Sequence, residues 1–336
     1  MHILVTGAAG YIGSHVVKQL IEDTDHTISV IDNLSTGHQS TIDTLNKIYK
    51  ETREGQITFY HEDLKNFDAI KDIFEKASFD GVIHFAASIV VPESVENPLK
   101  YYMNNTVNTT HLIKMCNEYG IKHFIFSSTA AVYGEPDVAQ VVETTPTKPI
   151  NPYGMSKLMS ETVLTDASLA NSNFSHVILR YFNVAGADVQ NRIGQSFPNA
   201  THLIKVSAQT AIGKREKMMI FGDDYDTPDG TCIRDYIHVD DLASAHLRAL
   251  EYLVEGNKSN IFNVGYGNGF SVKEVISTMR EVSGVNLRAD MAPRRAGDPA
   301  MLISDNTKIK SVLSWRPKYE DLSLICKTAL DWEKSI

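Results

Sequence analysis

The first 32 residues constrain the fold more than any other stretch, because a strand, a glycine turn, a helix and a second strand follow one another directly. His2–Thr6 is apolar and rich in β-branched residues, and it runs without a linker into a GxxGxxG pattern. Residues 14–22 are predicted to form a helix, and residues 27–31 a strand that ends at Asp32. This order is typical of the first half of a dinucleotide-binding α/β unit.

The three glycines of this pattern have separate predicted tasks. Gly7 allows the tight turn off the strand, Gly10 allows the backbone to approach a pyrophosphate, and Gly13 allows the helix to pack closely. The free N–H groups and the positive dipole end of the helix then face the phosphates. A carboxylate about 20 residues past the glycines holds the adenosine ribose diol and repels the extra phosphate of NADP. The stretch therefore predicts NAD, although glycines also mark ordinary tight turns.

Composition excludes several classes of protein. The chain has 336 residues and is 43% hydrophobic, enough for one large domain or two modest ones. Its formal net charge of −9 argues against a nucleic-acid or membrane partner. Cys116, Cys232 and Cys326 are widely separated, which predicts a reducing cytoplasm and neither a disulfide framework nor a metal site. The chain also carries no secretion signal and no apolar run of bilayer length, so we expect it to lie in the cytoplasm.

Strand and helix patterns alternate through the following residues, which predicts a doubly wound parallel (Rossmann-type) sheet. Strands are predicted near residues 57–60, 80–87, 121–127 and 177–181, and one long helix over residues 92–119. Asp63 is expected either near an adenine ring at the sheet edge or as a plain helix N-cap. His84 is predicted to be a core histidine.

The chemistry is predicted at a helix that follows an irregular, proline-containing loop over residues 144–152. Tyr153 and Lys157 lie four residues apart and so share one helical face. An ammonium beside the phenol is expected to lower the tyrosine pKa from about 10 toward neutrality. In isolation such a pair is more often an interfacial tyrosine with a solvated lysine. The Ser127-Ser128-Thr129 strand end that precedes it favours a catalytic interpretation.

Further motifs extend along almost the whole chain. They are Asn33-Leu34, His84-Phe85-Ala86-Ala87, Glu93-Ser94-Val95, Tyr101-Tyr102, Leu179-Arg180-Tyr181-Phe182-Asn183, Arg234-Asp235-Tyr236-Ile237-His238-Val239 and Ala292-Pro293-Arg294-Arg295-Ala296-Gly297-Asp298-Pro299. Together with the glycine pattern, Asp32, the strand end and Tyr153-x-x-x-Lys157, they resemble the UDP-glucose 4-epimerase group of extended short-chain dehydrogenases/reductases.

The resemblance implies bound NAD, a homodimer through paired long helices and a smaller carboxyl-terminal α/β lobe for a UDP-sugar. It places the NAD-binding domain at 1–182 and the substrate lobe at 183–336, with about 234–250 returning to the first domain. It implies epimerisation at C4 through a transient 4-keto sugar, with Tyr153, Lys157 and Thr129 as catalytic residues. The implied NAD-binding residues are Gly7, Gly10, Tyr11, Ile12, Gly13, Asp32, Asn33, Asp63, Leu64, Phe85, Ala86, Ala87, Asn104, Ser127, Tyr153, Lys157 and Tyr181.

The second lobe supplies the implied substrate contacts. Arg234 and Arg295 are local cations for a diphosphate in an acidic protein. Asp298 is placed to hold a ribose diol, and Phe221 either packs on uracil or fills the core. Surface salt bridges are the alternative for the charged residues. The full implied set is Thr129, Asn183, His202, Leu203, Phe221, Arg234, Arg295, Asp298 and Leu302.

Two positions depart from patterns seen in the family. Ile89 stands where some members carry a lysine near the cofactor phosphates, so weaker NAD retention is expected. Leu302 stands where members restricted to unmodified hexoses tend to carry tyrosine, which predicts that N-acetylated UDP-sugars are also accepted.

Three alternatives to the implied epimerase function are considered from the sequence. A 4,6-dehydratase needs an Asp-Glu pair after the strand-end threonine, whereas Thr129 is followed by Ala130-Ala131. A decarboxylase or a UDP-glucuronate 4-epimerase stays open, because the sequence does not fix the C6 group. A dinucleotide-sensing regulator is the alternative that is not an enzyme, and it would not need Tyr153, Lys157 and Thr129.

Overall fold

A computed structural model describes residues 1–197, 201–295 and 298–336. Its strands are β1 His2–Thr6, β2 Thr27–Asp32, β3 Thr58–His61, β4 Gly81–His84, β5 His123–Thr129, β6 Gln140–Val141, β7 Ser175–Tyr181, β8 Asn183–Ala185, β9 Met218–Phe221, β10 Ile233–His238, β11 Asn260–Val264, β12 Gly269–Ser271, β13 Ala289–Ala292 and β14 Met301–Ser304.

The α-helices of the described residues are α1 Tyr11–Asp23, α2 Gln39–Thr52, α3 Phe67–Lys76, α4 Val91–Glu96, α5 Pro98–Tyr101, α6 Asn108–Glu118, α7 Pro152–Ala170, α8 Leu203–Ala211, α9 Val239–Val254, α10 Val272–Ser283, α11 Thr307–Val312 and α12 Leu322–Ser335. A π-helical turn covers Tyr102–Val107, and a 3₁₀ turn covers Ala130–Tyr133. Across the described ranges, no helix is both long and apolar enough to cross a bilayer.

The predicted parallel sheet is confirmed, with seven strands in the order β11-β7-β5-β4-β1-β2-β3. The chain runs outward from β1 through β2 to β3 and then returns to β4 on the other side of β1. Ile3, Leu4 and Val5 are completely buried, as expected for a central strand covered on both faces. This reversal of strand order next to β1 creates a crevice at the carboxyl ends of β1 and β4, where open α/β sheets bind ligands.

The helix predicted over residues 92–119 is wrong as a single element. The structure divides this stretch into α4, α5, the π-helical turn and α6. Pro98 has no backbone N–H and disfavours helical geometry at Asn97, so α4 ends there. The Asn97 side chain then accepts from the Lys100 N–H, at 3.4 Å, and caps α5.

The chain divides into two compact units. The first comprises residues 1–132, 149–180 and 243–262, and the second comprises 133–148, 181–242 and 263–336. These bounds differ from those predicted from the sequence. Residues 133–148 contribute β6, which pairs with β14 within the second unit. The segment that returns to the first unit is 243–262 and not 234–250, because β10 pairs with β8, β12 and β14 of the second unit.

Candidate active site

The glycine turn after β1 leaves no room for a side chain at Gly7 or Gly13. Gly7 has a φ of 72°, and a Cβ there would lie 2.7 Å from the Ala86 nitrogen. A Cβ on Gly13 would lie 2.3 Å from the Gly7 carbonyl oxygen, so the close approach is between α1 and the turn itself. Gly10 precedes α1 and offers no side chain to cap it. The first N–H groups of α1 are therefore presented by backbone alone, which suits phosphate oxygens.

Asp32 ends β2, and its carboxylate accepts hydrogen bonds from the glycine turn after β1 and from the loop after β2. One carboxylate oxygen accepts from the Ala9 N–H at 2.9 Å and the other from the Leu34 N–H at 2.8 Å. Burial raises the pKa of Asp32, and these two hydrogen bonds oppose that rise. Each carboxylate oxygen has a second lone pair, so the group keeps the capacity to accept from a ribose diol.

Asp63 lies beside the loop that follows β2. The Asn33 amide donates to Asp63 Oδ2 at 2.9 Å, and the Lys65 N–H donates to Oδ1 at 2.9 Å. The alternative of a helix N-cap is wrong, because α3 begins at Phe67 and is capped by Asn66.

His84 ends β4 as a buried core residue, as predicted. Its Nδ1 lies 2.6 Å from the Thr6 hydroxyl, and its Nε2 lies 2.8 Å from the Thr109 hydroxyl. Burial lowers the pKa of His84 to about 3, so the ring is neutral at physiological pH.

The predicted catalytic residues of β5 and α7 come together. Asn151 caps α7 by accepting from the Gly154 N–H at 2.8 Å. A Cβ on Gly154 would lie 2.6 Å from the Ala131 carbonyl oxygen, so this glycine allows the first turn of α7 to approach the turn after β5. Tyr153 is 8% exposed, and the Thr129 hydroxyl at the end of β5 acts to lower its pKa.

Lys157 does not act on Tyr153 as predicted. Its ammonium donates to the Ser127 carbonyl oxygen at 2.9 Å and lies 4.9 Å from the centre of the Phe126 ring. Burial lowers the pKa of Lys157 to about 8. Burial raises the pKa of Tyr153, and the Thr129 hydroxyl opposes that rise. The predicted lowering of the tyrosine pKa is therefore wrong for the chain by itself, because the ammonium is directed to β5.

Sequence reasoning missed the groups that hold the end of β5. His246 in α9 lies 2.9 Å from the Ser127 hydroxyl, and its ring centre is 4.8 Å from that of Phe85. The Ser128 hydroxyl donates to Glu161, which pairs with Arg180. The spacing of Glu161 four residues after Lys157 was a visible signal, whereas nothing in the sequence links His246 to residue 127.

The other predicted cofactor residues have the following places. Tyr11 and Ile12 begin α1, and Leu64 is buried next to Asp63 in the sequence. The half-buried residues Phe85, Ala86 and Ala87 follow β4. Asn104 lies in the π-helical turn with its amide 3.0 Å from the Ser88 hydroxyl, and Tyr181 ends β7. Ile89 follows these residues and is 51% exposed. Their roles stay predictions.

In the second unit, the predicted substrate residues form two small groups around β10 and β9. Arg234 in β10 is paired in register with Leu302 in β14, and its guanidinium lies 3.5 Å from Asp298. The Arg295 guanidinium lies 3.7 Å from the centre of the Phe221 ring at the end of β9. The alternative of a salt bridge thus holds for Arg234, while Arg295 stacks on an aromatic ring. Residues 296 and 297, Ala and Gly of the predicted motif, lie outside the described residues.

A small cavity of about 20 Å³ in the second unit is bordered by the remaining predicted substrate residues of that unit. Asn183, His202 and Leu203 line it. His202 Nδ1 lies 2.8 Å from the Gln195 amide, and burial lowers the pKa of His202. His202 and Gln195 border this cavity together with Lys205 and Glu333, so hydrogen-bonding and charged side chains share its lining.

The known proteins that are similar to this chain are named as nucleotide-sugar enzymes. The sequence model of the GDP-mannose 4,6 dehydratase family matches residues 4–328. A UDP-glucose 4-epimerase of Azospirillum brasilense is 49% identical over 99% of this chain and 92% of its own length. The solved UDP-Glc/GlcNAc 4-epimerase of Campylobacter jejuni is 61% identical, with a TM-score of 0.87 and coverage of 100% of this chain and 99% of that chain. The UDP-glucose 4-epimerase of Bifidobacterium longum, in complex with NAD+ and UDP, is 34% identical, with a TM-score of 0.93 and coverage of 100% and 98%.

Proposed function

Because the chain belongs to the UDP-glucose 4-epimerase group of extended short-chain dehydrogenases/reductases, we propose that it interconverts UDP-glucose and UDP-galactose through a 4-keto sugar. The observation that carries this proposal is the Thr129, Tyr153 and Lys157 cluster in the unit that also holds the glycine turn. A regulator that only sensed a dinucleotide would need no buried acid–base group of this kind.

The first unit fits NAD. The bare start of α1 suits the pyrophosphate, and Asp32 retains acceptor capacity for the ribose diol while its charge disfavours NADP. When bound, NAD supplies a reversible acceptor for the C4 hydride. Ile89 provides no cation near the phosphates, so we propose that NAD is retained less tightly than in relatives with a lysine there.

Tyr153 is the proposed acid–base group. It accepts the proton of the sugar 4-hydroxyl as C4 becomes a ketone and returns it when the hydroxyl forms on the other face. The Thr129 hydroxyl donates to the phenolate oxygen and lowers its cost of ionisation. Lys157 is proposed to be needed in its protonated form, because the charge-assisted hydrogen bond from its ammonium holds the Ser127 carbonyl oxygen, two residues before Thr129 on β5. Since the pKa of Lys157 is about 8, we expect activity to fall on the alkaline side.

The second unit is proposed to hold the UDP-sugar. Arg234 and Arg295 suit a diphosphate, and Phe221 offers an aromatic face for a base. Leu302 is shorter than tyrosine and provides an apolar wall, so we propose that UDP-N-acetylglucosamine is also a substrate. The 61% identical Campylobacter jejuni epimerase, named for both UDP-Glc and UDP-GlcNAc, supports this choice.

Dehydration is not favoured despite the name of the matching family. A 4,6-elimination needs an acid and a base beside the strand-end threonine. The turn after Thr129 is Ala130–Tyr133, and none of its four residues is acidic. The relatives named above are epimerases, which supports neither the decarboxylase nor the glucuronate alternative.

We propose a homodimer formed through exposed apolar side chains of α4, α5 and the π-helical turn in the first unit. Val95, Leu99, Met103 and Val107 recur every four residues and are 63%, 72%, 59% and 36% exposed. Met159 in α7 is 42% exposed and extends the apolar surface. Leu99→Glu should shift the mass measured by light scattering toward a monomer, whereas an unchanged mass would contradict this interface.

We also propose that the protein works in the cytoplasm. Cys116, Cys232 and Cys326 are all free and buried, which suits a reducing compartment.

The proposed function is tested by incubating the purified protein separately with UDP-galactose and UDP-N-acetylgalactosamine and separating the products by chromatography. Conversion of both sugars is expected, without net consumption of NAD. Turnover of UDP-galactose alone would contradict the dual specificity, and turnover of neither would overturn the epimerase assignment. Denaturing the protein should release NAD(H), and recovery of NADP would contradict the role of Asp32.

A further inference from the structure

The end of β5 contains a serine that the proposed reaction does not use. Ser128 lies between Ser127, whose carbonyl oxygen accepts from Lys157, and Thr129, whose hydroxyl acts to lower the pKa of Tyr153. The Ser128 side chain is completely buried and its hydroxyl donates to Glu161 Oε1. A buried hydroxyl is therefore bonded to a buried carboxylate directly beside the catalytic residues.

Glu161 is held in turn by a buried ion pair. The Arg180 guanidinium donates to it from Nη2 at 2.6 Å and from Nε at 3.0 and 3.2 Å. The side chains are 4% and 5% exposed, so both charges have been removed from water. Such a pair adds little or nothing to stability compared with apolar residues of the same volume, because desolvation offsets the attraction. Its place in the fold therefore calls for another explanation.

The position of Glu161 on α7 provides one. It follows Lys157 by four residues, so the carboxylate lies one helical turn from the ammonium on the same face. Through Ser128 it also holds the strand that carries Thr129 and the carbonyl oxygen bonded to Lys157. One carboxylate thus connects to both sides of the catalytic cluster.

We propose that Glu161, fixed by Arg180, is a positioning residue that orients the end of β5 and keeps a negative charge beside Lys157. This inference rests on the proposed epimerase function and adds a residue to that same site. It assigns to Glu161 a geometric effect through Ser128 and an electrostatic effect on Lys157, which separate variants can distinguish.

The electrostatic effect has a definite sign. The ionisable groups near Lys157 differ in their relation to it. Glu161 on α7 and His84 at the end of β4 interact with it electrostatically, and Tyr153 precedes it by four residues on α7. Arg180 in β7 pairs with Glu161, and His246 in α9 lies 2.9 Å from the Ser127 hydroxyl. Burial lowers the pKa of Lys157, and the Glu161 charge opposes that lowering. His84 is neutral, with a pKa of about 3. Without the Glu161 charge, the Arg180 cation would be left uncompensated and would lower the pKa of Lys157 further.

The experiment compares the pH dependence of kcat for UDP-galactose in the wild type, Glu161→Gln and Ser128→Ala. Glu161→Gln keeps the shape of the side chain and removes its charge. The pH at which kcat falls on the alkaline side (the alkaline limb) should therefore be about one unit lower than in the wild type. Ser128→Ala removes the hydroxyl and keeps the charge, so kcat should fall with the alkaline limb unchanged. The KM for UDP-galactose and the calorimetric Kd for UDP should stay within about twofold, because the substrate-binding side chains are untouched.

Asp241→Asn is the matched control in the second unit. Asp241 is also a buried carboxylate, and it accepts from the Tyr266 hydroxyl at 2.6 Å and from the backbone N–H of Lys318 and Tyr319. Its variant should lower Tm and leave the pH profile unchanged. If Glu161→Gln folds poorly, Glu161→Gln/Arg180→Gln removes both charges of the pair, and its alkaline limb should lie below that of the wild type by less than about one pH unit.

The outcomes separate this inference from the function on which it rests. A wild-type protein that converts no UDP-sugar overturns the proposed function. An active wild type together with a folded Glu161→Gln variant whose alkaline limb is unmoved overturns the positioning role alone. A lower Tm with an unchanged pH profile of kcat would likewise show that Glu161 stabilises the fold and does not position Lys157.

Discussion

The proposed catalytic residues of the first unit and the proposed substrate-binding residues of the second unit are held in different ways. Tyr153 and Lys157 are at most 8% exposed, and the Lys157 ammonium donates to the Ser127 carbonyl oxygen of β5 at 2.9 Å. Arg234 and Asp298 have side chains 11% and 35% exposed, and they are separated by 3.5 Å. The proposed catalytic side chains are thus more deeply buried than the proposed substrate-binding pair, and the Lys157 contact is shorter than the Arg234–Asp298 contact.

This difference suits the proposed reaction. A proton must move between atoms in fixed positions, because an error of about 1 Å can cost roughly 10²-fold in rate. The 4-keto sugar must instead turn over between the two hydride transfers, while the UDP part stays bound. A buried catalytic cluster in the first unit, with a second unit that holds UDP and leaves the hexose free to turn, would meet both needs, and variants in each unit test this division.

The largest effect is expected from Tyr153→Phe. Without the hydroxyl there is no acid–base group, so kcat should fall by roughly 10²–10⁴-fold. The Kd for UDP, measured by calorimetry, should not change, because the phenol lies in the first unit. A folded variant with near-normal kcat would remove Tyr153 from the mechanism, and a large change in UDP affinity would break the division between the units.

Gly154→Ala tests whether the first unit is as rigid as its burial suggests. The added Cβ would lie 2.6 Å from the Ala131 carbonyl oxygen and 3.2 Å from the Pro149 Cβ, so the start of α7 must shift. We expect kcat to fall by roughly 10- to 10²-fold, as for a displacement of about 1 Å. Gly120→Ala is the matched control, since no atom lies within 4 Å of a Cβ there, although its positive φ adds local strain. Equal kcat values for both variants would show that the site tolerates displacement.

Arg295→Ala tests the second unit. The guanidinium is assigned to the diphosphate, which does not react, so KM should rise by roughly 10-fold with little change in kcat. Its contact with Phe221 is an aromatic stack and leaves the cation able to bind an anion. Steady-state kinetics with UDP-galactose measures both constants. A fall in kcat with an unchanged KM would place Arg295 in the chemistry instead.

Local sequence patterns could predict part of the fold and part of the candidate site. The glycine turn, Asp32, the parallel sheet and the meeting of Thr129 with Tyr153 follow from local patterns, since strand ends and helix starts are marked by residue type. The direction of the Lys157 ammonium could not be predicted, because it depends on which carbonyl oxygen of β5 lies nearest. The role of residues 133–148 in the second unit was also hidden, because β6 is two residues long and its partner β14 lies far along the chain.

The smallest and most selective effect is expected from Leu302→Tyr. Leu302 is partly exposed in β14, in register with Arg234, so a larger side chain at this position has access to space beside the proposed substrate residues. Tyrosine adds bulk where the C2 substituent is proposed to lie, so turnover of UDP-N-acetylgalactosamine should fall about 10-fold or more. Turnover of UDP-galactose should change by less than about threefold, since a hydroxyl at C2 needs less room. Leu302→Met, which nearly conserves volume, is the control and should leave the ratio of kcat/KM for the two sugars unchanged. If tyrosine lowers both turnovers equally, Leu302 supports β14 and does not set the sugar specificity, and the adaptable part of the second unit must be sought elsewhere.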